Sequence, residues 1–135
     1  MKLQISYSEL ESIIQEKTGQ GVEIGYVDPQ TIELRKDMKV FMVHKKVSIN
    51  LEVIKVERTD LVVKYNAGLG LEMAAKGFLV FFRETLSGII DDKGSNTLVV
   101  HLDQIEKLRG ALSAVSLQSI CFDDKTTIIL FLLKT

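Results

Sequence analysis

The chain has 135 residues, 46% of them hydrophobic and 26% charged, with no low-complexity tract, which is the composition of a folded domain and not of a disordered segment. Its 17 basic and 18 acidic residues leave a net charge of -1, so bulk charge supplies no field to gather nucleic acid or an anionic membrane. A single cysteine, Cys121, excludes an internal disulfide framework. The length predicts one domain spanning residues 1–135. The opening stretch MKLQISYSELESIIQ holds no apolar run of about seven residues and no small-residue cleavage site, so it does not read as a signal peptide, and a cytoplasmic protein is expected.

Taken in order, Ser6 followed by Glu9 fits a capping box. Leu10, Ile13 and Ile14 make one apolar stripe, and Gly19 offers a left-handed stop. A short amphipathic helix from Tyr7 to Lys17 follows. Val22, Ile24 and Tyr26 then alternate with polar or small residues, Asp28-Pro29-Gln30 makes a turn, and Ile32 and Leu34 alternate with Glu33 and Arg35. These two runs predict a hairpin. Val40 to Val43 reads as a third run, ending at His44-Lys45-Lys46, and Val47, Ile49, Leu51 and Val53 as a fourth. After Val53 the alternation slips by one, to Ile54 and Val56, which predicts a bulge that would curve the sheet. Past a turn at Arg58-Thr59-Asp60, the run Leu61, Val63 and Tyr65 completes an antiparallel meander of up to five strands.

The stretch from Gly68 to Leu86 is the most apolar helix candidate in the chain. At 100° per residue, Glu72, Lys76 and Arg83 fall within about 40° of one another, while Leu71, Met73, Phe78, Phe81 and Phe82 spread over the remaining arc. One packed face cannot hide them all, so a helix over 69–86 should be wrapped on more than one side. Its charged residues and its length, short of the roughly twenty apolar residues of a span, argue against a transmembrane segment. Beyond it, Asp91 to Asn96 reads as a loop, and Leu98, Val100 and Leu102 as a strand. Asp103 is placed to cap a short helix near 103–112. The chain finishes with a hairpin, Val115 to Phe122 and Thr126 to Leu133. The second of these runs does not alternate, which predicts cover on both faces from an interior position or an oligomer interface.

Few constellations carry chemistry. Gly68-Leu69-Gly70 resembles the opening of a dinucleotide-binding turn, but Met73 stands where a third glycine belongs, and Glu72 puts negative charge where phosphate would sit. His44 and His101 have no second ligand at metal spacing. The Asp91-Asp92 and Asp123-Asp124 pairs lack the alternating oxygens of a calcium loop, so no metal and no cofactor are expected. His101 should lie on the face opposite Val100 and Leu102 as a surface or hydrogen-bonded residue. A small hydrolase using Cys121 with His101 is the one nucleophilic pairing available, and no glycine elbow accompanies it; the reading is therefore non-catalytic, with Cys121 a filler in a strand.

What remains is the aromatic and methionine surface. An α+β fold is predicted, in which a strongly curved antiparallel sheet of about six to eight strands wraps around one long apolar helix. That order of elements is similar to tubular lipid-binding modules, a likeness of architecture alone. The wide apolar arc of the 69–86 helix points to a non-catalytic binding protein holding an apolar or lipid-like small molecule between helix and sheet, with Met73, Phe78, Phe81, Phe82, Phe41 and Met42 as contacts. The alternative is a structural or interaction domain that homodimerises or docks a protein partner through an apolar strand, such as Thr126 to Leu133, or a helix face. Neither reading involves nucleic acid.

Overall fold

The computed structural model describes residues 2–40, 43–66, 77, 80–81 and 83–133. Local signals set the first helix, α1 (Tyr7–Thr18): the Ser6 hydroxyl accepts the Glu9 amide at 3.1 Å, and the Glu9 carboxylate accepts the Ser6 amide at 3.4 Å. Gly19 ends it at φ 70°, donating its amide to the Gln15 carbonyl at 2.8 Å. The residues ahead of α1 were not read as a strand, yet Lys2–Ser6 forms β1. Its five residues are too few for their alternation to stand out against the capping signal beside them.

Among the described residues, nine strands lie in two antiparallel sheets. After α1 come β2 (Glu23–Asp28), β3 (Thr31–Val40), β4 (Val43–Glu57) and β5 (Asp60–Asn66), then β6 (Ile90–Gly94) and β7 (Thr97–His101). These form a six-stranded sheet in the order β2-β3-β4-β5-β7-β6. A 3-10 turn over Leu102–Gln104 and helix α2 (Glu106–Leu112) lead to β8 (Val115–Phe122) and β9 (Thr126–Leu133), which join β1 in a three-stranded sheet, β1-β9-β8.

Several expectations are corrected. There are two sheets where one was expected, and the larger is not strongly curled. The bulge is present, between Val53 and Lys55, and it leaves Ile54 exposed. Register also shifts between Tyr26 and Asp28 and between Asp92 and Gly94, and these three irregularities together do not curl the sheet strongly. The meander has four strands, not five, because β3 runs unbroken to Val40, which faces Val43 across the connection to β4. Lys36, Asp37 and Lys39 stay in that ladder, with Asp37 opposite Lys46. Asp91 to Gly94 is strand, not loop: Ser95 and Asn96, at φ 53° and 60°, make the two-residue turn of a β6–β7 hairpin. Asp103 does not cap α2; Ile105 holds that position without a side-chain bond, and Asp103 belongs to the 3-10 turn before it.

Most of the 69–86 helix lies outside the described residues. Within it Gly77, Val80, Phe81 and residues 83–85 are helical, and the chain leaves the helical state at Leu86, so a long apolar helix is not shown. Among the described residues no helix is long and apolar enough to cross a membrane.

β9 lies between β1 and β8, so both of its edges are paired, but its burial alternates along the strand and Leu132 and Leu133 are exposed, so the expected cover on both faces is not shown. One cluster of buried side chains draws on both sheets and α2, with Ile49, Leu98, Leu112, Val115 and Ile129 among its least exposed members. Backbone bonds also join the sheets. The outer edge of β8 donates the Leu117 amide to the Arg58 carbonyl at 2.6 Å and the Phe122 amide to the Pro29 carbonyl at 2.9 Å. At the edge of β2, the Glu11 carboxylate of α1 accepts the Ile24 amide at 2.8 Å. Edge groups that could pair with another chain are thus partly occupied from within.

Candidate functional site

Side chains alternate across a strand, so the wall made by β5, β7 and β6 presents two different surfaces. Leu61 and Val63 of β5, Leu98 and Val100 of β7, and Ile90 of β6 point inward. They face α1 through Leu10 and Ile14, and the three-stranded sheet through Ile120 and Ile129. The space left between them is a cavity of about 200 Å³. Apart from Lys17 and Thr127, its described lining side chains are all apolar, and the Thr127 hydroxyl is buried without a hydrogen-bond partner. The alternation of each strand was legible in the sequence. The gap between sheets was not, because a void depends on how far apart two packed layers settle.

On the outer surface of the same wall, His101 stands between two carboxylates. Its Nδ1 lies 2.8 Å from Asp60 Oδ1 on β5 and its Nε2 lies 2.7 Å from Asp91 Oδ2 on β6. Register explains the meeting: Asp60 is directly opposite His101, and Asp91 is opposite Val99, the residue of β7 that shares the His101 face. Hydrogen bonds to Asp60 and then Asp91 raise the imidazole's proton affinity above its ordinary value, against a smaller opposing effect of burial. The Asp60 side is the firmer one. Arg58, at φ 52°, gives its carbonyl to Leu117, and Thr59 gives its carbonyl to the Leu102 amide at 3.0 Å, which pins the turn that precedes Asp60. An open depression beside the histidine is bordered by Glu57, Arg58, Asp103 and Gln104.

This geometry also sorts the residues singled out from sequence. His101 is on the expected outer face and is hydrogen-bonded there, as read. Both of its ring nitrogens face carboxylates, and Cys121 lies on β8 of the other sheet, partly exposed on the face opposite Ile120 and Phe122. The hydrolase pairing of Cys121 with His101 therefore has no free imidazole nitrogen to draw on. Phe81 is buried, with Lys36 Nζ 5.2 Å from its ring centroid, and it does not line the cavity. Phe41, Met42, Met73, Phe78 and Phe82 lie outside the described residues, as does Gly68-Leu69-Gly70. Among the described residues, no group of three or more histidine, cysteine, aspartate or glutamate side chains is arranged to hold a metal ion.

Comparison of the chain with protein-family models, with curated proteins and with solved structures gives no match.

Proposed function

We propose that this protein is a non-catalytic binding protein whose ligand is a small apolar molecule held in the cavity between the two sheets and α1. The observation that carries this reading is the cavity itself. Natural interiors are close-packed, with few voids larger than a water molecule, and a space of about 200 Å³ walled almost wholly by aliphatic side chains departs from that rule. A guest seated there gains by removing apolar surface from water. Size and lining define the guest. Aliphatic cavities of about 150 Å³ admit a molecule the size of benzene and stay dry without it, whereas drug-sized ligands occupy roughly 300–1,000 Å³. A compact hydrocarbon or simple aromatic fits, and a whole lipid does not.

Titration with benzene, followed through methyl NMR signals, tests the reading. Saturable shifts at Ile90, Leu98, Val100 and Ile120 are expected, and Val63→Phe, which places a ring in the cavity, should abolish them while the protein stays folded. No saturable shift in the wild type, or equal shifts in the filled variant, would defeat it.

A second reading, an interaction domain that homodimerises, draws on the end of β9, where Leu132 and Leu133 are 53% and 69% exposed. Sedimentation at micromolar concentration decides it: a monomer removes this reading, and a dimer dispersed by Leu132→Glu with Leu133→Glu sustains it.

A further inference from the structure

The two surfaces of the β5–β7–β6 wall are joined by the residues that follow one another along each strand. Asp60 precedes Leu61, Asp91 follows Ile90, and His101 sits between Val100 and Leu102, so every member of the outer bracket is chain neighbour to a residue lining the cavity. We propose that edge strand β6 is a gate into the side of this partly open apolar cavity and that His101, bridging Asp60 and Asp91, is the latch that holds β6 to β7. The gate rests on the reading of the cavity as a ligand site.

Topology makes β6 the movable part. It has five residues, pairs only with β7, and carries Ile90 on the cavity side, with Leu86 and Ile89 lining the same space just before it. Separating β6 from β7 breaks one short ladder and leaves the order β2-β3-β4-β5-β7 intact. Edge segments of this kind open locally at less cost than interior strands. The His101–Asp91 bond is the side-chain tie across that ladder.

Proton counting makes the tie conditional. A neutral imidazole has one N–H and can donate to one carboxylate; the other then faces a ring lone pair at hydrogen-bond distance, which is repulsive. Only imidazolium donates to both. When the proton leaves, the side that gives way is Asp91, which is 51% exposed on an edge strand, against 35% for Asp60 behind its pinned turn. The charges bonded to His101 are Asp60 from β5 and Asp91 from β6, while Glu57 at the end of β4, Arg58 in the β4–β5 turn and Asp103 in the 3-10 turn border the open depression beside it. The two bonded carboxylates favour the proton. The latch is therefore closed at and below the ordinary imidazole range and releases as pH rises through the raised value.

The test follows amide protection factors of Ile90–Gly94 and benzene exchange at the cavity by NMR from about pH 6 to about pH 9, beside the titration of the His101 ring. In the wild type, β6 protection relative to β4 should fall roughly two- to fivefold as His101 loses its proton, the range open to a partly exposed charge pair, and benzene should exchange faster in step. His101→Gln should hold both at the released level throughout, and Asp91→Ala, on an exposed edge position, should do the same without disturbing the core. Protection and exchange that stay flat while His101 titrates, or that vary alike in the wild type and in His101→Gln, overturn the proposal. If benzene binds at no pH the gate is lost with the ligand reading, and β6 protection alone still decides whether the latch exists.

Discussion

The inner and outer surfaces of the β5–β7–β6 wall are made by the same 17 residues of backbone, and they hold together by different physics. Inside, Leu61, Val63, Leu98 and Val100 contribute through the area they remove from water, a gain with no direction and no dependence on pH. Outside, Asp60, His101 and Asp91 contribute through two bonds of 2.8 and 2.7 Å whose strength depends on distance, angle and one proton. The pleat lets one strand serve both without compromise. The inner surface should therefore dominate stability, and the outer surface should dominate any response to conditions.

The sharpest separation of the two is Leu98→Ala. Leu98 is 1% exposed, and its truncation should cost about 2–5 kcal/mol in urea denaturation while enlarging the cavity and leaving the His101 titration in place. A loss below about 1 kcal/mol would mean that this wall is not part of the core.

The outer surface predicts a smaller effect with a defined sign. Because the native state raises the proton affinity of His101, the bracket's stabilisation is fully present below about pH 6.5, the unfolded-chain value, and is lost as pH rises through the raised native value. The denaturation midpoint should decline over that interval by an amount equivalent to no more than about 1 kcal/mol, and His101→Gln should remove the decline. A midpoint that rises there would reverse the assignment. Smallest of all is Val99→Thr, a partly exposed outer-face change expected to stay within about 0.5 kcal/mol by the same measurement. A larger loss would show that the outer surface is packed against something.

What was readable in the sequence was local. Ser6, Glu9 and Gly19 marked α1 within a residue of its bounds, and the slip after Val53 marked the bulge, because caps and alternation act over a few residues. The allocation of strands to sheets was hidden, since β1 finds its partner at the far end of the chain, Lys2 facing Leu130. Asp91 and Asp92 looked like loop because an edge strand with one solvated face needs few apolar residues, and Ile90 supplies the inward contact. The His101 bracket was invisible for the same reason. Its members sit on three strands, and only the register of β5, β7 and β6 brings them together. Composition pointed to aromatic side chains for ligand contact, whereas the cavity found is walled mainly by aliphatic ones.

The placement of β9 carries a consequence for synthesis. The strand at the centre of the three-stranded sheet is the last of the nine to be made, and one of its two flanks, β1, is the first. A ribosome thus emits Leu3 and Ile5 long before their neighbours exist, and the sheet has no middle until Thr126–Leu133 has cleared the exit tunnel. Deleting Thr126–Leu133 would remove a keystone and not a fringe.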